Sequence, residues 1–290
     1  MIPAATVKKT SILTVLQCEG LDLAPLSRHT MVQFGDGGIS ISTAQGIDAG
    51  GLISAASLLF AAGERPDVQA VGALAQSTSG FSVSHAPGAD AGWLELLASG
   101  LIYDLKGLAP WPEAEPPPRR HEFGLPADFY EGRLEAVTLQ PGPHLAEGAT
   151  MPPVVRTLAG LAAQLSALPG VHAVAWQPAL TWCAPQFFRD SVTRWLEGGV
   201  FPGLGLAALV PTTDGGLRSQ GLALFTGQEL ELDPDVADNP AGAAKVGLRL
   251  MHWLVEHGRL TGPETLPGPE DQRFQLDPST DGRFVRVWRG

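Results

Sequence analysis

The sequence predicts an α+β fold with two sub-domains of mixed or antiparallel sheet, each with helices packed on one face. Three observations predict it. Of the 290 residues, 44% are hydrophobic and 17% are charged, which is enough apolar side chain for a buried core. Short apolar runs of strand length are interspersed with longer runs at helical spacing. The 35 glycines and 25 prolines follow no triplet period, so they indicate many turns.

The clearest internal boundary is the stretch PWPEAEPPPRRHE, residues 110–122. Three consecutive prolines, Pro116 to Pro118, favour extended polyproline geometry and disfavour both helix and sheet. The sequence therefore predicts an N-terminal domain over residues 1–112, a linker over 113–122 and a C-terminal domain over 123–262. Residues 263–290 are predicted to be a tail rich in proline and glycine with an edge strand in RFVRVWR.

In the first half, apolar runs and turn residues predict both strands and helices. Strands are predicted at 11–17, 69–76 and 101–105, with a hairpin of strands 29–34 and 38–44 around the glycine-rich turn at 35–38. Helices are predicted at 50–62, from small apolar residues, and at 89–99, where Trp93, Leu96 and Leu97 have helical spacing.

In the second half, helix start and stop signals are clearer. Helices are predicted at 152–168, which Pro152 and Pro153 begin and Pro169-Gly170 ends, and at 185–197 and 241–257. Strands are predicted at 134–140, 171–177, 204–211 and 222–232, the last two flanking a turn at Asp214-Gly215-Gly216.

Two stretches, residues 93–111 and 161–182, resemble each other weakly. Each has a helix-like pattern, then a glycine, then a strand-like run that ends near an aromatic residue and a proline. One interpretation is that the two stretches descend from a duplicated structural unit. The alternative is that they are two unrelated helix–strand corners.

The charge balance argues against some classes of partner. The formal net charge is −11, and an acidic chain without a local basic patch repels the phosphates of nucleic acid. No apolar run reaches the roughly 18 residues of a membrane-spanning helix. Cys18 and Cys183 are too few for a disulfide scaffold, so we expect a cytoplasmic protein with reduced thiols.

Catalytic signatures are missing from the sequence. It contains no Gly-x-Ser-x-Gly nucleophile elbow, no His-Glu-x-x-His and no Cys-x-x-Cys. No cofactor or metal is therefore predicted, and candidate residues have to come from clusters.

The first cluster is aromatic. Trp176, Trp182 and three further aromatic residues fall within twenty positions. With Gln177 and Glu197 beside the indole groups, they are typical of a concave ligand pocket. The alternative is that they form the aromatic core of the second domain.

The second cluster is acidic. Glu229 and Glu231 project from one face of a predicted strand, where two carboxylates either titrate as a pair, bind a hard cation or face solvent. His252 and Glu256 lie four residues apart on one helix face. They either bind a metal with a third ligand or form a solvated pair.

Residues 171–260 resemble an uncharacterised, mostly bacterial family known only as a domain of unknown function. The resemblance rests on VHAVAWQPALTWCAPQFF, WLEGGVFPGLGLAAL and DGGLRSQGLALFTGQELEL. The family's aromatic strand corresponds to Trp176, and its acidic strand to Glu229 and Glu231. In this chain Thr226 stands between Phe225 and Gly227, whereas in the family the phenylalanine is followed directly by glycine. The resemblance implies a fold unit, and it implies no activity and no catalytic residue.

Three functional hypotheses follow. The first is a non-catalytic binding protein that holds a protein partner, such as a basic one, or a small ligand, with Trp176, Gln177, Trp182, Glu197, Glu229, Glu231 and His252 as candidate contacts. The second is a hydrolase-like or metal-dependent enzyme that uses Glu229, Glu231 and His252. The third is a homodimer in which Trp253, Leu254 and their neighbours are buried against a second copy.

Overall fold

A computed structural model describes residues 55–129, 132–237, 239–268 and 272–290. The strand predicted at 11–17, the hairpin predicted at 29–44 and Cys18 lie outside the described residues. The described part is an α+β fold built on two sheets, which confirms the predicted fold class.

Within the described residues, the first sheet has eight strands. They are β1 (Ala56–Ala61), β2 (Ser82–His85), β3 (Trp93–Ala98), β4 (Leu101–Lys106), β5 (His121–Phe123), β6 (Leu134–Pro141), β7 (Ala173–Trp176) and β8 (Thr181–Cys183). Their spatial order is β2-β3-β4-β6-β1-β7-β8-β5. The pair β5–β8 is parallel, and the other paired strands run antiparallel.

The second sheet has six strands in the part of the chain that the structure describes. They are β9 (Ala208–Pro211), β10 (Leu217–Gln220), β11 (Glu229–Leu232), β12 (Glu264–Pro267), β13 (Arg273–Pro278) and β14 (Phe284–Arg289). Their order is β12-β13-β14-β11-β10-β9, with β11 and β14 parallel. The strand in RFVRVWR is therefore internal, between β13 and β11, where an edge strand was predicted.

The helices pack against the sheets. They are α1 (Val68–Ser77), α2 (Pro152–Leu165), α3 (Pro185–Leu196), α4 (Ala223–Thr226) and α5 (Pro240–His257). Helix α2 contacts β1, β6 and β4 of the first sheet, and α5 contacts β10 and β11 of the second. The long helices confirm those predicted at 152–168, 185–197 and 241–257, with ends that differ by a few residues.

Several predictions from the first half need correction. Residues 68–77 form a helix where a strand was predicted, because Asp67 caps the helix by accepting a hydrogen bond from the Ala70 N–H at 2.8 Å. Residues 56–61 form a strand inside the predicted helix 50–62. Both faces of this central strand are buried, so its apolar run carries no alternation.

The helix predicted at 89–99 is a strand over 93–98. Leu94, Leu96 and Ala98 are buried on one face, and the residues between them are more exposed. With β4 this strand forms a hairpin, whereas residues 161–176 contain the end of a helix and a strand. The two similar sequence stretches thus have different secondary structures, and the basis for a duplication is lost.

The strand predicted at 222–232 is a short helix followed by a strand. Gly227, at φ 77°, ends α4 in the left-handed region that glycine adopts readily, and β11 begins two residues later. The turn at 214–216 does connect a hairpin, and its second strand is the shorter β10.

The predicted linker does not separate the two sheets. Strands β1 to β4 precede residues 113–122, β6 to β8 follow them, and all lie in the first sheet. One buried hydrophobic cluster also continues from the first sheet to the second. The border between the two sheets falls between β8 and β9 in the chain. The proline-rich stretch instead follows the surface of the first sheet, whose strands come from both before and after it in the sequence.

Candidate functional site

The predicted aromatic pocket is divided by the first sheet. Trp176 is fully buried on the face that α2 covers, with its ring centroid 6.4 Å from that of Phe188 and 6.3 Å from that of Phe225. Trp195 and Phe201 extend the same cluster. These residues form the aromatic core, which was the alternative to a pocket.

Trp182 lies on the opposite face. It belongs to a second, smaller cluster with Leu134 and Ala136 of β6 and Ala173 and Ala175 of β7. The two tryptophans therefore do not share a pocket, because they occupy opposite faces of neighbouring strands.

A segment that we call the strap, residues 107–120, crosses this second face. The Ala114 carbonyl accepts a hydrogen bond from the Ala136 N–H of β6 at 2.9 Å, and the Arg120 N–H donates to the Leu180 carbonyl next to β8 at 2.8 Å. Since β1 and β7 lie between β6 and β8, the strap spans both of them. The three consecutive prolines, Pro116 to Pro118, suit this role, because a proline has no N–H that needs a partner.

Arg65 fastens the beginning of the strap. Its guanidinium donates to the Gly107 carbonyl at 2.6 Å and to the Trp111 carbonyl at 2.8 Å. It also forms an ion pair with Glu135 of β6 at 2.6 Å, and both side chains are less than a tenth exposed. One buried cation thus holds two strap carbonyls next to the sheet.

An open groove of about 450 Å³, which we call the strap groove, lies between the strap and the sheet. Glu115, Pro116 and Arg119 line it from the strap. The side chains that line it from the sheet and the preceding loop are Phe129, Arg133, Leu134 and Trp182. It is open to solvent and combines aromatic, aliphatic and charged side chains.

Within the strap groove, Trp182 contacts a cationic side chain and an aromatic one. The Arg119 guanidinium lies 4.8 Å from the Trp182 ring centroid, and the Phe129 ring meets the same indole edge-on at 6.4 Å. Among the described residues, the Trp182 indole N–H has no hydrogen-bond partner although it is buried.

Glu229 has a structural role. Its carboxylate accepts hydrogen bonds from the Ser219 hydroxyl and from the N–H groups of Gly221 at 2.9 Å, Leu222 at 3.2 Å and Ala223 at 3.1 Å. Burial raises the pKa of Glu229, and these four hydrogen bonds oppose the rise. The carboxylate thus holds the loop that leads into α4.

That loop is also fixed by a close approach to the first sheet. Gly221 has a φ of 89°, and a Cβ there would lie 2.8 Å from the Ala179 side chain. The loop therefore requires glycine for both its backbone conformation and the available space. The Glu229 carboxylate and Gly221 stabilise one junction of the fold.

Glu231 is engaged in ion pairs. Its carboxylate lies 2.6 Å from Arg218 and 3.5 Å from Arg286. The two glutamates do share one strand face, as predicted, since Leu230 and Leu232 are buried on the other. Neither carboxylate is free to act as a base or to bind a cation, because each has its own set of donors.

His252 is buried in α5. Its Nδ1 accepts a hydrogen bond from the Phe201 N–H at 3.3 Å, and its Nε2 lies 3.7 Å from the Glu256 carboxylate. The two side chains are thus close enough to pair, but His252 is buried, whereas the alternative to a metal site was a solvated pair. In the described part of the chain, no group of three or more His, Cys, Asp and Glu side chains is arranged to hold a metal ion.

Gln177 and Glu197 have local roles. The Gln177 amide donates to the Ser57 hydroxyl at 3.2 Å and ties the end of β7 to β1. Glu197 is exposed at the end of α3. Neither lines the strap groove, so Trp182 is the one predicted ligand-binding residue that does.

The remaining residues of the strap groove were missed by the sequence analysis. Arg119 lies in the predicted linker, which was interpreted as a spacer, and Phe129 and Arg133 lie at the start of the predicted C-terminal domain, before its first predicted strand. The available signal was the occurrence of arginines and an aromatic residue close to the prolines, since spacers seldom need them. The long-range packing against Trp182 had no sequence signal.

The two residues named for a dimer contact also pack within the chain itself. Leu254 is fully buried in the chain's own core, and Trp253 packs partly against that core and stacks on His257 at 4.2 Å.

Among the described residues, no helix is long and apolar enough to cross a membrane.

Comparisons with known proteins add no identity. The chain matches no protein-family model, no curated protein and no solved structure. The resemblance of residues 171–260 to an uncharacterised family accordingly stays a prediction.

Proposed function

We propose that this chain is a non-catalytic, cytoplasmic binding protein whose ligand is a small molecule held in the strap groove. The observation that carries the proposal is the groove of about 450 Å³, where Trp182, Phe129 and two arginines meet. Small-molecule sites typically have volumes of about 300 to 1,000 Å³ and combine apolar walls with a few polar groups.

The contacts of the candidate catalytic residues support the non-catalytic part of the proposal. A general base or a metal ligand needs a free lone pair directed at a substrate or an ion. The Glu229 carboxylate already accepts four hydrogen bonds, and that of Glu231 is paired with two arginines. The hydrolase-like alternative would have to break these contacts at each turnover.

A thermal-shift panel tests the proposal. The panel should include small organic acids, amines and neutral compounds, together with divalent ions. We expect at least one organic compound to raise the Tm by several degrees, because a ligand that binds only the folded state stabilises it. Its affinity should then be measured by isothermal titration calorimetry.

Two matched variants locate the site. Phe129→Ala removes a partly exposed ring from the strap groove, and we expect it to weaken binding by about tenfold. Phe284→Ala removes a partly exposed ring from the second sheet and should leave binding unchanged. A panel with no organic hit, or hits that bind both variants equally well, would contradict the proposal.

A further inference from the structure

We infer that helix α1 and strand β2 form a contact surface for a second copy of this chain, so that two copies associate as a symmetric dimer. This surface, which we call the α1–β2 surface, comprises residues 68–88 at one edge of the first sheet. The inference goes beyond the proposed function, because the residues that line the strap groove lie elsewhere in the chain.

The α1–β2 surface has no acidic or basic side chain other than His85. Residues 68–88 contain no Asp, Glu, Lys or Arg, whereas 17% of the whole chain is charged, which would give about four in a stretch of this length. Gln69, Ala73 and Gln76 of α1 are exposed. Two chains that each have a net charge of −11 repel one another, and an uncharged surface lets them approach with the least local repulsion.

Strand β2 is an edge strand, and its outer side pairs with no other strand of the described residues. Ser82, Ser84 and His85 are exposed, and Val83 is half-buried. The backbone N–H and C=O groups along this side are therefore a template for a strand of another chain. Natural edge strands are usually protected by charges, prolines, bulges or covering segments, and β2 itself has only a register shift between Val83 and His85.

The other three edge strands of the described sheets are better protected. Strand β12 contains the charged Glu264 and ends at Pro267, and β9 ends at Pro211. Strand β5 is three residues long, and a hydrogen bond of 3.1 Å between His121 and Gln220 connects it to the second sheet. Strand β2 is thus the described edge that is most open to pairing with another chain.

Apolar side chains lie next to this free edge. Leu97 of β3, which is paired with Ser82, is 38% exposed. The ring of Trp93, which is half-buried, lies 5.6 Å from the His85 ring. Contact with a second copy would remove part of this apolar area from water, which favours association.

Pairing of β2 with its own copy gives a closed assembly. Two identical strands that run antiparallel are related by a twofold axis, so the same residues of both copies form the contact. This pairing uses the free edge of β2 in both copies, and α1 lies beside it because α1 contacts β2. Association through the α1–β2 surface therefore stops at two copies and forms no fibre.

Analytical ultracentrifugation of the full chain at concentrations from about 1 to about 200 μM tests the inference. We expect the measured mass to rise from that of one chain toward that of two chains as the concentration increases. Hydrogen–deuterium exchange at the two ends of this range should be slower at the high concentration in peptides that cover residues 68–88.

Two substitutions place a charge on the α1–β2 surface. Ala73→Glu on α1 and Ser82→Lys on β2 change exposed positions, and each should raise the dissociation constant of the dimer at least about tenfold. Thr193→Glu on α3 and Thr265→Lys on β12 place the same charges at exposed positions elsewhere and should leave it unchanged. Far-ultraviolet circular dichroism should verify that all four variants fold like the wild type.

Several results would overturn the inference. They are a wild type that stays a single chain at every concentration, a mass that exceeds two chains, and a dimer that neither surface variant weakens. Exchange in residues 68–88 that does not depend on concentration would overturn it as well. The wild-type measurements decide the question even if a variant fails to fold.

Discussion

At the scale of single residues, each candidate side chain is explained by its hydrogen-bond partners. The carboxylates of Glu229 and Glu231 lie on the same strand face, yet one accepts from backbone N–H groups and the other pairs with arginines. The same residue type at the same pattern position therefore serves two structural purposes. A reactive residue type in a sequence forms a functional site only when its side chain is not already occupied by partners within the fold.

Glu229 gives a prediction for pH dependence. Burial raises its pKa above the ordinary value of 4.5, so the folded chain holds this proton to a higher pH than the unfolded chain does. The group's contribution to stability is then fully present below the unfolded pKa and is lost as the pH rises through the folded pKa. Urea unfolding of the wild type and Glu229→Gln should be compared at several pH values.

We expect the stability of the wild type, relative to that of Glu229→Gln, to fall as the pH rises above 4.5. A relative stability that increases over the same range would mean that the four hydrogen bonds outweigh burial and lower the pKa.

The sequence predicted residue types better than residue partners. It placed Trp182 among the candidates and Glu229 and Glu231 on one strand face, because period-two alternation is a local property. It did not predict that Ser219 and residues 221–223 surround Glu229, since that contact depends on how β10 pairs with β11.

At the scale of elements, the strap is the feature that makes the strap groove. It is attached to the sheet by backbone hydrogen bonds at Ala114 and Arg120 and by the Arg65 guanidinium at its start. The residues between the two backbone attachments include the prolines, which need no hydrogen-bond partner for an N–H. The groove therefore depends on a few fixed points rather than on a continuous pairing of strands.

Arg65 gives a prediction for which Arg218 of the same chain serves as the control. Arg65 and Arg218 each pair with a glutamate at 2.6 Å, but the first pair is 7% and 2% exposed and the second is 46% and 21% exposed. Loss of one partner of a buried pair leaves an uncompensated charge and costs about 3 to 5 kcal/mol, whereas an exposed pair contributes about 0 to 1 kcal/mol.

We therefore expect Arg65→Ala to lower the free energy of unfolding far more than Arg218→Ala does. Adding Glu135→Gln to Arg65→Ala should recover part of the loss, because it removes the buried charge. Equal effects of the two arginine substitutions in urea unfolding would mean that Arg65 does not fasten the strap.

Elements were predictable where start and stop signals were strong. Pro152 and Pro153 begin α2, and Pro185 begins α3, so these helices were predicted correctly. Short apolar runs were not predictable, since β1 is buried on both faces and α1 is only ten residues long. The Asp67 cap was a usable signal for α1 that a run of Val, Ala and Leu obscured.

At the scale of the whole molecule, the two sheets share one core. Trp176 of β7 packs on Phe225 of α4, which precedes β11 of the second sheet, and the buried cluster includes residues from both sheets. The composition predicted a core and an α+β class. It did not predict the division of strands between sheets, because strand pairing is set by contacts distant in sequence.

A shared core predicts cooperative unfolding. Disruption of either sheet exposes side chains of the other, so tryptophan fluorescence and far-ultraviolet circular dichroism should report a single urea transition with the same midpoint. Two separate midpoints would contradict a shared core and would restore two independent domains.

The central claim is that the strap groove is a ligand site. Hydrogen–deuterium exchange of the full chain, with and without a saturating concentration of an organic compound that the thermal-shift panel identifies, tests its position most directly. We predict slower exchange confined to peptides that cover the strap and residues 125–136 and 180–183. Unchanged exchange in those peptides, or protection only within β9 to β14, would contradict the claim.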